Sequence, residues 1–315
     1  MPLSRRGLRR RRATPTYGES DRVNSFMSSN WTAISASVRG NWHEQSGQKN
    51  QDAVRLKNPR TAADALLIAV SDGHGSLRSF RSDRGSVIAA ECALRLLKKF
   101  VRQTGPGVPL SRVRRQAQRR WPRELVAAWR RAVRADLARD PFSPIDFAAF
   151  PESPPVIKPG AEPPPIAYLA YGATLIVTAV TRRYILYAQL GDGDILTVDG
   201  NGTVSCPLKR NHKFYANETA SLCTNEALSE FQVRVDPVRV ATPALIMLST
   251  DGYANCFGDD EGFFSVGADL LAYTQRHGAV FVDKNLGKWL RESSRDGSGD
   301  DITVGLAVRT MAREG

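Results

Sequence analysis

No apolar run in the chain approaches the roughly 18 residues that a membrane-spanning helix needs, so a transmembrane protein is not expected. Cysteine is scarce: Cys92, Cys206, Cys223 and Cys256 lie far apart and form no CxxC pair. That spacing argues against a zinc ribbon or a disulfide scaffold and makes reduced thiols in a cytoplasmic protein the expectation. Lysine is also sparse, because 35 of the 44 basic residues are arginine, so the net charge of +12 is arginine charge. Arg5, Arg6 and Arg9 to Arg12 crowd the first twelve residues. Paired arginines occur in export signals, but no apolar stretch follows them, and export is not expected. Residues 1–28 are read as a disordered, solvated tail, with a tether to an acidic partner, nucleic acid or anionic lipid as the sharper option.

What is present suits a globular domain over residues 29–310, with 42% hydrophobic residues in a chain of 315. Trp31 to Val38 alternates as a strand does, and strands are also expected at Asp52 to Lys57 and Leu66 to Ser71. Arg39 to Ala53 between them reads as a polar loop. Ser82 or Asp83 is positioned to cap a helix reaching about Val101, with Val87, Ala90, Leu94, Leu97 and Val101 as its apolar stripe. Trp121, Leu125, Trp129 and Val133 repeat every fourth residue in a second helix with Pro122 in its first turn. Its many arginines read as a solvated outer face, and a nucleic-acid partner is not expected from arginine alone.

Pro141 to Pro165 is too proline-rich for regular structure and reads as a surface loop. Strands resume at Tyr168 to Thr181, Tyr184 to Leu190 and Asp194 to Val198, and Asp199-Gly200-Asn201-Gly202 is a hairpin turn before Thr203 to Cys206. Residues 207–230 read as a polar flap. Phe231 to Val235, Ala244 to Ser249 and Ile302 to Val308 are further strands, and Val266 to Arg276 and Val280 to Arg291 are helical. The pattern implies an α+β fold of stacked antiparallel sheets flanked by helix pairs.

Acids recur at strand ends. The apolar run Leu66 to Val70 meets Ser71-Asp72-Gly73-His74-Gly75, Leu190-Gly191-Asp192 follows a strand, and Ser249-Thr250-Asp251-Gly252 repeats the pattern. Asp300-Asp301 precede the last strand, and Asn50-Gln51-Asp52 precede the second. Asp-Gly alone is a common turn, but several carboxylates gathered together repel unless cations neutralise them. Two divalent ions about 3.5–4 Å apart can hold a bridging hydroxide for in-line attack on phosphorus.

The order Asn-Gln-Asp-Ala, Val-Ser-Asp-Gly-His-Gly, Tyr-Gly-Ala-Thr, Leu-Gly-Asp, Ser-Thr-Asp-Gly and Asp-Asp-Ile-Thr resembles the metal-dependent protein phosphatases of the 2C type, from about Trp31 to Val308. It is similar to the bacterial subset with Asn-Gln-Asp in place of Asn-Glu-Asp. The resemblance implies a two-sheet αββα sandwich and a Mg²⁺- or Mn²⁺-dependent phosphatase acting on phosphoserine and phosphothreonine in proteins. It implies that Asp72 bridges two metals, that the Gly73 carbonyl joins it, that Asp251 and Asp300 hold one ion, and that Asp192 serves a third, weaker site. Asp52 would orient the attacking water and His74 would protonate the leaving oxygen. Gln51 stands at a metal-site glutamate and loses its charge. Gly47 stands where a phosphate-binding arginine is expected, with His43, then Arg39 or Lys49, as substitutes by proximity. Asn255 replaces a second acid. These departures raise the alternative of a catalytically weak regulatory module that binds phosphoproteins.

Overall fold

The computed structural model describes residues 30–61, 64–146, 161–210, 220–239 and 242–310. Along the chain come β1 (Asn30–Val38), α1 (Asn41–Ser46), β2 (Ala53–Lys57), β3 (Leu66–Ser71), α2 (Ser82–Gln103), α3 (Leu110–Arg119) and α4 (Trp121–Arg139). Next are α5 (Pro165–Leu169), β4 (Leu175–Val180), β5 (Tyr184–Leu190), β6 (Asp194–Val198), β7 (Val204–Ser205) and α6 (Ala227–Glu230). The chain closes with β8 (Gln232–Pro237), β9 (Leu245–Ser249), α7 (Asp251–Ala254), α8 (Asp260–His277), α9 (Ala279–Asp296) and β10 (Ile302–Thr310). The basic tail, residues 147–160 of the proline-rich segment and residues 211–219 of the expected flap lie outside the described residues.

Two antiparallel five-stranded sheets form, one ordered β1-β10-β9-β6-β7 and the other β2-β3-β4-β5-β8. Strand β3 shows why its apolar residues are contiguous. Leu66, Ile68 and Val70 pack into the layer between the sheets with Ile246, Leu248 and Ala307. Leu67 and Ala69 point the other way, into a core shared with α2 and α4. Alternate residues of a strand face opposite sides, so a strand covered on both faces is apolar throughout. The sheets approach closely at Gly305, where a Cβ would sit 2.6 Å from Ile68 Cγ2. Helices α8 and α9 cover the outer face of the first sheet through Phe263, Leu270, Leu286 and Leu290. Among the described residues no helix is long and apolar enough to cross a membrane.

Five local expectations change. The polar loop 39–53 contains α1, which no apolar periodicity announces; it is held by Trp42 N–H donating to Gly299 O at 2.9 Å and ends at Gly47 with φ 73°. Residues 165–169 are a short helix headed by Pro165, so β4 begins at Leu175. The second expected helix is α4, opened by Trp121 and Pro122, and a separate helix, α3, precedes it. The α2 stripe is rotated: Ala90 and Leu97 are buried as expected, but Val87, Leu94 and Val101 are only partly buried, and Ser86, Ala89 and Ala93 join the buried face. Helix α2 also starts at Ser82 behind Arg81, without a side-chain cap. Small residues win that face because the neighbours press close. A Cβ on Gly85 would collide with Tyr171 O, and Trp129 Nε1 donates to Gly85 O at 3.1 Å.

Candidate active site

The strand ends converge on one rim. The β2–β3 register pairs Ala53 with Ser71, which sets Asp52 beside Asp72 at the open end of the ladder. Thr174 fixes the turn after β3: its N–H donates to Asp72 O at 2.8 Å, and Asp72 N–H donates to Thr174 Oγ1 at 3.2 Å. Ser249, the last residue of β9, pairs with Asp194 on one side and Val304 on the other. That pairing draws Asp192, Asp251 and Asp300 toward the same edge. Gly191 turns the β5–β6 connection with φ 105°, a conformation that favours glycine.

Ligand oxygens of Asp72, Asp192 and Asp251 all lie within 4.8 Å of one another. Asp300 is outside that group of three, although its charge bears on Asp251. Burial, then Asp52 and Asp251, pushes the Asp72 carboxyl well above the usual carboxylate range. Burial, then Asp192, raises Asp251 to about 6, and burial also raises Asp300. Asp52 rises to about 8 through burial and the neighbouring Asp301. Its Oδ2 accepts from Thr250 Oγ1 at 2.8 Å, while Oδ1 is buried without a partner among the described residues.

Hard oxygen donors, mutual repulsion and an orphaned carboxylate oxygen fit divalent cations of the Mg²⁺ or Mn²⁺ type. Gly73 belongs to the same rim, because a Cβ there would lie 2.6 Å from Gln51 O and 2.8 Å from Ser82 O. Gln51 lies across from Gly75, its Oε1 3.8 Å from where a Cβ on that glycine would be.

His74 follows directly. Its N–H donates to Gly172 O at 3.1 Å, and a Cβ on Gly172 would collide with the ring at Cδ2. Burial lowers the imidazole pKa and the charge of Asp192 opposes that.

The residue without an assigned role in the sequence is Asp301, 3% exposed. Gly40 N–H and Gln51 N–H each donate to its carboxylate at 2.6 Å, and His43 Nδ1 lies 2.9 Å away. One buried carboxylate therefore ties the end of β1, the start of β2 and α1 to the start of β10. Its sequence signal was the second acid of Asp-Asp-Ile-Thr. Of the substitutes weighed for phosphate, His43 faces Asp301, and Arg39 reaches Gln48 O at 3.4 Å. Lys49 is 80% exposed, lies 3.3 Å from Asp83, and lines an open cavity of 530 Å³ with Gln51, Gly75 and Leu77.

Residues 39–291 match the sequence profile of the family described as protein phosphatase 2C. No curated protein sequence matches the chain. Solved structures share its fold. The catalytic domain of the serine threonine protein phosphatase PstP in complex with two manganese ions is 16% identical with a TM-score of 0.52, covering 90% of this chain and 100% of that one. The serine/threonine phosphatase Stp1 from Staphylococcus aureus is 14% identical with a TM-score of 0.53, covering 88% and 94%. PppA, a regulatory component of T6SS in Pseudomonas aeruginosa, is 16% identical with a TM-score of 0.54, covering 89% and 98%.

Proposed function

The chain belongs to the protein phosphatase 2C family, and we propose that it hydrolyses phosphoserine and phosphothreonine in proteins in a metal-dependent reaction. The observation that carries this reading is the gathering of Asp72, Asp192 and Asp251 oxygens within 4.8 Å at one rim. A second reading, a catalytically silent phosphoprotein-binding module, drew on Gln51 and Gly47. It is not favoured, because the other acids and His74 are retained.

Asp72, the Gly73 carbonyl, Asp251, Asp300 and the neutral Gln51 are the residues that would hold two Mg²⁺ or Mn²⁺ ions, with Asp192 available to a third, weaker one. When bound, such ions neutralise the acids, orient the phosphate and sharpen water as a nucleophile. Asp52 offers its unpartnered Oδ1 to the attacking water and takes up its proton as the water oxygen bonds to phosphorus. His74 carries a proton that passes to the serine or threonine oxygen as the P–O bond breaks, a contribution of typically about 10²–10⁴ in rate. Lys49, exposed on the cavity wall, would meet the phosphopeptide beside its phosphate.

The test is turnover of a phosphoserine peptide with Mn²⁺ or Mg²⁺, repeated with chelator and in Asp72→Asn. Both should abolish it. Turnover indifferent to either would overturn the reading.

A further inference from the structure

A strongly basic surface lies away from the acid rim. Between residues 92 and 135 fall thirteen lysines and arginines and one acid, Glu124. That excess of twelve equals the excess of the whole chain. The first twelve residues contribute six further arginines, so everything else, the acid rim included, is net negative. Charge is segregated here rather than dispersed, which a merely solvated helix face does not require.

Some of these bases come together in three dimensions, whereas Arg134, farther along α4, meets Glu162. Helices α2 and α4 are joined at Lys99 Nζ–Glu124 Oε2, 3.2 Å, and a groove lined by Phe100, Gln103, Gln116 and Arg120 brings α3 against both. Glu124 is already used by Lys99 and Arg120. Helix α3 buries Val113 and Ala117 completely and has no acid in its first turn. Arg112, Arg115 and Arg119 fall on its opposite side, within about 60° of one another at about 100° per residue. With Arg123 at the start of α4 they form an exposed row, and none of the four meets a carboxylate among the described residues. Exposed Lys98 and Arg102 extend the patch along α2.

From this arrangement we infer that the α2–α3–α4 face is a docking surface for a phosphodiester backbone, that of a nucleic acid. Guanidinium groups present paired donors that match phosphate oxygens. The composition of the surface separates nucleic acid from the other polyanions. Protein interfaces are anchored by buried aromatic or aliphatic residues, and interfacial membrane helices insert an apolar face. Among the described residues, the large exposed apolar side chains (Trp42, Leu77, Ile145, Leu228, Tyr273, Val280 and Phe281) all lie outside residues 92–135. A surface of like charges on rigid helices, without apolar anchors, suits a regular polyanion held through phosphates and read without sequence preference. The surface also leaves the acid rim free. Ser82 O borders Gly73, and Lys98 is sixteen residues further along α2, about 24 Å by helical rise.

The experiment is fluorescence anisotropy of the full chain with a mixed-sequence duplex DNA over a range of salt. Parallel arms use phosphatidylserine vesicles and polyglutamate. One variant carries Arg112→Gln, Arg115→Gln, Arg119→Gln and Arg123→Gln, and a second has the six arginines of residues 1–12 changed to glutamine. Thermal melting checks that both fold. The expected result is DNA binding whose logarithmic salt slope falls by about 3–4 in the helix variant, at about 0.9 per lost phosphate contact. Affinity at low salt should drop at least tenfold, and the tail variant should lose less. Absence of DNA binding, a slope unchanged in the helix variant, or equal or tighter binding to vesicles or polyglutamate would each overturn the inference. These readouts do not depend on phosphatase turnover, so they stand apart from the reading of the acid rim.

Discussion

Gly172 and His74 pack so closely that any side chain on the glycine would drive into the imidazole ring. The loop before β4 therefore sets the attitude of the group proposed to protonate the leaving oxygen. Gly172→Ala should tilt the ring and His74→Ala should remove it, and the damage should depend on the leaving group. A serine oxygen needs a proton as it departs, whereas nitrophenolate hardly does. Turnover of a phosphoserine peptide should fall by about 10²–10³, and that of nitrophenyl phosphate by less than about tenfold. Comparing kcat on the two substrates checks this. Equal losses would remove His74 from the role of acid.

The raised carboxylates make a second prediction, about pH. Folding holds Asp52 at about 8 and Asp251 at about 6, both above the ordinary value of 3.8. Each protonated acid therefore stabilises the metal-free fold at low pH, and that stability is lost as pH rises through the folded values. Metal-free protein should melt at progressively lower temperature from about pH 5 to about pH 8. Mn²⁺ should reverse the trend, because it binds the ionised acids and displaces their protons. Melting curves with chelator and with Mn²⁺ at several pH values decide it. A metal-free melting temperature that climbs over that range would count against repulsion among these acids.

The sequence revealed these acids unevenly, for physical reasons. Contiguous apolar residues in β3 were readable because both faces of that strand are covered, and Asp72 at its end followed. Trp121, Leu125, Trp129 and Val133 were readable because large side chains fill the interior at helical spacing, and all four are 2% exposed or less. The face of α2 was only partly readable: Ala90 and Leu97 are buried as expected, Val87, Leu94 and Val101 only in part. Its buried side uses Gly85, Ser86 and Ala89 because Tyr171 and Trp129 come from elsewhere in the chain. Helix α1 was hidden for the same reason, since Gly299 and Asp301 hold it from the far end of the sequence. Asp301 carried no mark of its inward turn, because an acid that accepts backbone N–H groups reads like one that faces a metal.

Asp301 makes a third prediction. Asp301→Ala strands the N–H groups of Gly40 and Gln51, each of which now donates to a buried carboxylate. Hydrogen bonds to charged groups contribute roughly 1.5–3 kcal/mol each, so destabilisation should reach about 3 kcal/mol or more. Asp301→Asn keeps the shape and one acceptor, and should recover part of that loss. Because Gln51 and Asp300 flank this carboxylate, both variants should also weaken Mn²⁺ binding, by roughly tenfold for the asparagine. Denaturant melts and calorimetric Mn²⁺ titration separate the two effects. Asparagine binding Mn²⁺ as tightly as the parent protein would confine Asp301 to stability.

Gln51→Glu tests the metal reading from the opposite direction, by adding a charge. The side chain sits beside Gly75 on the rim, with its backbone N–H fixed by Asp301, so a glutamate can occupy the same position. It would raise the negative charge facing a divalent ion, and Mn²⁺ affinity should rise, by about tenfold if the gain approaches 1.4 kcal/mol. Without metal the added carboxylate joins acids that already repel, so the melting temperature of the chelated protein should fall below that of the parent. The two shifts have opposite sign and share one cause. A glutamate that left both Mn²⁺ affinity and metal-free stability unchanged would place residue 51 outside the reach of the ions, and the two ions would then rest on Asp72, the Gly73 carbonyl, Asp251 and Asp300 alone.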